Sequence, residues 1–388
     1  MHIQCGILLA IICLGALDVT SSGNVKQLAR ANGQFAFKLY KKVTAREHGN
    51  VFFSPFSIST ALSMTYAGAR GRTASQMRRV LGFRRLNVHN IFRSTLKTLR
   101  KTKGQYTLAV ANRLFAQRKF KILKKYKNLL YRKYFAGLGV LDFSRNPSGA
   151  AAFINRWVKK NTNRKIKNIV NANTVRRALL VLANAIYFKG FWEVPFNKKF
   201  TKPRIFHSMS RKKKVPMMHL TAKFAYSENR YLKCQILGLP YKGKRLSMYV
   251  FLPNKRNGLN NLEKKLNYRS VTSALNRLHN EKIIVTLPKF KMTMKMHLRN
   301  LLMAMGMRRA FTHLDFSGIA KGGGMQIADV IHKAFIKVDE KGTEAAAATV
   351  VIIGRSRHPM FVADHPFLFL IRDNRTGSIL FLGRLVKP

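Results

Sequence analysis

The sequence predicts a single α+β domain over residues 23–388. Three observations predict it. Helix-period and strand-like segments share one chain, with no linker, repeat or low-complexity stretch dividing them. The run ALLVLANAIYF, residues 178–188, is almost continuously apolar, as expected of a strand buried on both faces. Hydrophobic residues make up 47% of the 388, enough for a substantial core.

Met1 to about Ser22 reads as a secretory signal. Residues 6–17 hold the short apolar run Ile-Leu-Leu-Ala-Ile-Ile-Cys-Leu followed by small residues. That run is too short to span a membrane comfortably, so removal between Ala16 and Gly23 and release outside the cell are expected. No membrane insertion is expected elsewhere. Cys5 and Cys13 leave with the signal, and Cys234 remains as a buried thiol with no intramolecular partner. Asn374-Arg375-Thr376 is an N-glycosylation sequon, whereas Pro147 blocks Asn146-Pro147-Ser148.

Residues 25–44 read as an amphipathic helix, with Leu28, Phe35, Phe37 and Leu39 among its apolar positions. Pro55 suits the first turn of a second helix, where its missing N–H costs nothing, and Ser54 suits the N-cap. Gly68 and Gly71 are expected to end that helix. Residues 88–102 are helical, with Ile91, Phe92, Leu96 and Leu99 on one side and cations on the rest. Residues 106–116 alternate as a strand. Residues 120–134 and 148–161 are helical and basic. From Phe206 a strand, a turn carrying Arg211, Lys212, Lys213 and Lys214, and a second strand follow. Residues 234–253 give two strands, 259–278 a helix with a break, 282–287 a strand, and 296–305 a helix. Residues 330–338, 367–371 and 379–382 are strands.

Catalytic chemistry finds no foothold. No Gly-x-Ser-x-Gly elbow surrounds Ser54, and no Cys/His group has metal-ligand spacing. Gly322-Gly323-Gly324 lacks the Gly-Lys-Ser/Thr of a phosphate loop. The protein is expected to be no enzyme and to need no metal or cofactor. Charge is the anomaly: 73 Lys and Arg against 14 acids give +59. Between Gly49 and Trp192 a single acid, Asp142, faces 30 cations. Ordinary solubility needs far less, so a polyanionic partner is expected.

The stretch VDEKGTEAAAATVVIIGRSRHP, residues 338–359, organises the chain. Read with period two, Thr343, Ala345, Ala347, Thr349, Val351 and Ile353 share one face, every one small or β-branched. The segment therefore suits a loop in one state and a buried strand in another.

Glu340-Lys341-Gly342-Thr343-Glu344-Ala345-Ala346-Ala347-Ala348-Thr349 resembles the hinge of inhibitory serpins, and residues 361–388 resemble the C-terminal serpin signature. NVFFSPFSISTALSMTYAGARGRT and LANAIYFKGFWEVPF are equally similar to serpin segments, so the resemblance covers nearly everything after residue 25. It implies a serpin fold of three β-sheets and about nine helices, with an exposed reactive-centre loop at about 340–361. It implies a hydrogen-bonded shutter of Ser54, Ser57, Asn184 and His332 through which the main sheet opens. It places Trp192 where the loop first inserts, with Glu340 paired to Lys289. The block around Asp364-His365-Pro366-Phe367-Leu368 is similar to salivary serpins of blood-feeding arthropods.

The implied mechanism is suicide inhibition. A trypsin-like serine protease attacks one loop bond, and the hinge of Glu340, Gly342, Thr343, Ala345, Ala346, Ala347 and Ala348 enters the sheet before the acyl-enzyme hydrolyses. Gly342 lets the chain turn where insertion begins, and small residues avoid overpacking. Burial of Val351 and Ile353 adds about 1.5–3 kcal/mol each. Family spacing from Glu340 puts Ser356 before the scissile bond. Ile353-Gly354-Arg355-Ser356 instead resembles the reactive centre of antithrombin with one residue fewer before it. Arg355–Ser356, Ser356–Arg357 and Arg357–His358 stay open as the cleaved bond, with the first favoured because a guanidinium suits a specificity pocket holding an aspartate. Heparin or a similar sulfated glycosaminoglycan is the expected activator. Its candidate sites are Lys97, Arg100, Lys101 and Lys103, on the helix resembling the heparin helix of such serpins, and Lys121, Lys124, Lys125 and Lys127. A monomer is expected. The competing reading is a non-inhibitory serpin serving as a polyanion-binding or carrier protein.

Overall fold

The computed structural model describes residues 4–84, 86–100, 104–209, 211–313, 315–322, 324–340 and 358–388, with side chains from residue 23 onward. Eleven α-helices are seen among these: α1 (Gln4–Thr44), α2 (Pro55–Tyr66), α3 (Gly71–Leu81), α4 (Val88–Arg100), α5 (Lys124–Leu129), α6 (Pro147–Asn161), α7 (Ala172–Val175), α8 (Leu259–Lys265), α9 (Tyr268–Leu275), α10 (Arg299–Ala304) and α11 (Arg309–Thr312). A π-helical turn, Leu130–Tyr134, continues α5. None of these helices is long and apolar enough to cross a membrane.

The strands are β1 (Val51–Phe53), β2 (Tyr106–Gln117), β3 (Leu138–Leu141), β4 (Leu180–Gly190), β5 (Lys202–His207), β6 (Lys212–Asn229), β7 (Cys234–Pro240), β8 (Leu246–Pro253), β9 (His279–Pro288), β10 (Phe290–His297), β11 (Ile327–Val338), β12 (Met360–Val362), β13 (Phe367–Asp373) and β14 (Ile379–Leu385). Five of them form the main sheet in the order β10-β11-β4-β2-β3. The expected second and third sheets are hydrogen-bonded into one nine-stranded sheet, because the 18-residue β6 pairs with β5 and β9 along most of its length and with β7 at its end.

Strand β4 is buried on both faces, as its composition predicts. Leu180, Leu182, Ile186 and Phe188 join the large core, while Val181, Ala183, Ala185 and Tyr187 pack with Ile154 and Val158 of α6. Strands β4 and β11 are parallel and paired directly from Leu180↔Ile327 to Phe188↔Ile336. Two parallel neighbours are the one arrangement in which a strand arriving between them can be antiparallel to both.

Several local expectations are corrected. Residues 71–81 form α3: Gly71, at φ +49, is where the chain turns out of one helix into the next, not where helix ends. Residues 120–123 are not helical, because Ile122 bridges Ala320 and the Leu123 N–H donates to Ile319 O. Lys212, Lys213 and Lys214 are on β6 rather than in the turn before it. Residues 290–297 are β10, in full antiparallel pairing with β11, so the helix expected from residue 296 gives way to strand at 296–297 and α10 starts only at Arg299.

Candidate functional site

Strand β11 and helix α2 meet at a buried polar cluster. His332 and Asn184 are register partners across the β11–β4 pair, and both are fully buried. The Ser54 backbone N–H donates to His332 Nε2 at 3.1 Å, so Nδ1 carries the ring proton and donates to Asn184 Oδ1. Burial pushes the His332 pKa down to about 3, which keeps the ring neutral. The Asn184 amide donates to Ser57 O at 3.1 Å, to Ser57 Oγ at 2.7 Å and to Asn112 Oδ1. Ser57 Oγ donates to Asn112 Oδ1 at 3.2 Å. Ser54 Oγ accepts from the Ser57 N–H at 3.1 Å and donates to Leu380 O at 2.6 Å. Ser54 is therefore both the N-cap of α2 and a tie to β14. The four predicted residues converge, and Asn112, absent from the sequence reading, is a fifth member. It lies opposite Asn184 in the β2–β4 register.

A second cluster sits where β11 ends. The Trp192 indole N–H donates to Asp339 O at 3.0 Å, and its ring stacks on Tyr241 with centroids 4.6 Å apart. Lys289 Nζ lies 2.9 Å from Glu340 Oε2, and Thr201 Oγ1 donates to Glu340 Oε1 at 2.8 Å. Burial by itself would raise the Glu340 pKa, but the hydrogen bonds from Lys289 and Thr201 outweigh it and the carboxyl is held below its usual range. The predicted Glu340–Lys289 pair is thus formed, on a carboxylate side chain only 4% exposed. Gly342, Thr343, Ala345, Ala346, Ala347, Ala348, Arg355, Ser356 and Arg357 lie outside the described residues.

The two candidate basic clusters fall on neighbouring elements. Lys97 and Arg100 are exposed on the last turns of α4, and Lys121, Lys124, Lys125 and Lys127 are exposed on α5 and the stretch before it. Lys101 and Lys103 lie outside the described residues. The π-turn packs against α4: Lys133 Nζ donates to Asn90 Oδ1, and the Arg100 guanidinium sits 4.7 Å from the Phe135 ring centroid. Asn374 is exposed, but its amide nitrogen already donates to Lys244 O and Ser247 Oγ, both at 2.8 Å. A glycan there would displace one of those bonds. Cys234 is fully buried and unpaired, and burial pushes its thiol pKa up to about 12.

A five-stranded main sheet with a parallel seam, a buried polar cluster on that seam and an ion pair just past the end of β11 together define the fold class. The sequence profile of the serpin (serine protease inhibitor) family matches residues 30–388, and the chain belongs to that family. It is 42% identical to an uncharacterized serpin-like protein of Thermococcus kodakarensis, over 96% of this chain and 88% of the relative. It is 39% identical to intracellular coagulation inhibitor 2 of Tachypleus tridentatus, over 92% of this chain and 90% of that protein. Among solved structures, uncleaved ovalbumin superposes with a TM-score of 0.87 at 32% identity, covering 93% of this chain and all of ovalbumin.

Proposed function

We propose that the protein is a secreted inhibitor that traps a trypsin-like serine protease by cleavage at Arg355–Ser356 and insertion of its own loop. One observation carries this reading. Strand β11 runs parallel to β4 and hands the chain directly to Glu340, so a freed hinge that turns at Gly342 faces the β4–β11 seam with the right polarity to pair with both strands. The protease serine oxygen adds to the Arg355 carbonyl carbon. The bond to the Ser356 nitrogen then breaks, that nitrogen leaves with a proton, and an ester joins Arg355 to the protease. Insertion of the small-residue hinge before water attacks that ester leaves the complex covalent.

Heparin or another sulfated glycosaminoglycan is proposed to bind the exposed cations Lys97 and Arg100 of α4 and to speed the encounter, an attraction that salt weakens. Secretion rests on the apolar run at residues 6–17.

The test mixes the mature protein with trypsin, with and without heparin, on a denaturing gel. A band at the summed mass is expected, forming faster with heparin, and mass spectrometry of the released C-terminal peptide should begin at Ser356. Clean cleavage with no covalent band, repeated with thrombin and other trypsin-like proteases, would favour the carrier reading.

A further inference from the structure

The face formed by α4, α5 and the π-turn carries more than charge. Tyr131, in the π-turn, is 76% exposed, the most exposed large apolar side chain among the described residues. Phe135 caps that turn in the left-handed region, at φ +52, where glycine is the usual occupant and a bulky residue is strained. Its ring is nonetheless 37% exposed, with the Arg100 guanidinium over one face. Lys97, Lys124, Lys127 and Arg132 are exposed on the same three elements, Lys124 and Lys127 about two turns and one turn before Tyr131. π-Helical turns and strained residues concentrate at functional sites.

We propose that this face binds single-stranded nucleic acid, with a base stacked on Tyr131, Phe135 extending the aromatic surface, and phosphates held by Lys97, Arg100 and Arg132. Charge selects the occupant. A net charge of +59 repels a second copy of the chain and any basic partner. A sulfated polysaccharide satisfies the cations but offers no flat ring to Tyr131. Single-stranded nucleic acid offers both, since every base has a π-face and each link a phosphate. The inference shares its basic face with the glycosaminoglycan reading but not its ligand.

The experiment measures anisotropy of two labelled probes of about 12 nucleotides, oligo-dT and an abasic strand of equal charge. Oligo-dT is expected to bind about tenfold more tightly, a preference Tyr131→Ala largely removes while leaving the abasic affinity unchanged. Lys97→Ala should weaken both probes and lower the salt dependence. Phe135→Gly, which suits the left-handed turn and keeps the fold, should also reduce the preference. Equal affinity for the two probes, or a preference that survives both Tyr131→Ala and Phe135→Gly, overturns the proposal. Heparin acceleration of protease trapping is scored separately. Acceleration without a base preference leaves the glycosaminoglycan reading standing and removes this one, and the reverse result does the opposite.

Discussion

Lys289 and Glu340 meet at 2.9 Å two residues past the end of β11, with the carboxylate almost wholly buried and the ammonium one-third exposed. The pair joins the start of β10 to the end of β11, on the side where insertion would begin. Lys289→Met leaves the Glu340 carboxylate with Thr201 as its remaining side-chain donor among those seen here. The expected loss is about 1–2 kcal/mol, below the cost of breaking a fully buried pair because Lys289 is part-solvated. Thermal unfolding should register the loss, and the variant should convert more readily to the self-inserted form on warming. An unchanged melting temperature would mean that the pair contributes nothing net.

His332 gives the protein an acid-sensitive stability. Its folded pKa is about 3 against an unfolded value near 6.5, so between those limits the unfolded chain binds a proton that the folded chain excludes. The stability is fully present above pH 6.5 and is lost as pH falls, by about 1.4 kcal/mol per pH unit for this one group. His89, lowered to about 4 by burial and by Lys133, adds to the loss with the same sign. Urea melts at pH 7.5 and pH 5 measure the slope. A slope that His332→Gln leaves intact would rule out His332 as its source.

Asn112 is predicted to matter as much as its better-placed neighbours. Asn112→Val removes the acceptor shared by Asn184 and Ser57. Each buried donor left unpaired costs about 1–3 kcal/mol, so a total near 2 kcal/mol is expected after partial rearrangement. A denaturant midpoint within error of the parent would remove Asn112 from the network.

The hinge reading predicts a loss of trapping without a loss of fold. Thr343→Arg puts a long cation on the small-residue face that must enter the sheet, where overpacking costs about 1–3 kcal/mol before its charge is counted. Cleavage by trypsin should continue while the covalent band disappears. Retention of the band would show that this face does not insert.

Cys234 should ignore a thiol reagent in the folded protein, because it is inaccessible and its thiol is held protonated. Titration in denaturant then counts processing. One thiol means that Cys5 and Cys13 have left with the signal, and three mean that they have not.

Much of this architecture was legible before any fold was seen. The apolar run of β4, interrupted only by Asn184, required burial on both faces. Pro55 and Ser54 marked the start of α2, and assigning Cys5 and Cys13 to the signal left Cys234 without an intramolecular partner. These conclusions follow from composition and short-range pattern, which act within one element. The identity of the polar lock came from resemblance, and its geometry did not. Asn112 sits in an ordinary alternating stretch, and only the β2–β4 register puts it opposite Asn184. Residues 290–297 carry weak local preference, and pairing with β11 made them a strand. Gly71 reads locally as a helix end but serves in the folded chain as a corner. The aromatic and basic residues of α4 and the π-turn are separated by about thirty positions of sequence. Contacts between distant segments, worth more than local propensity, decided that they form one surface.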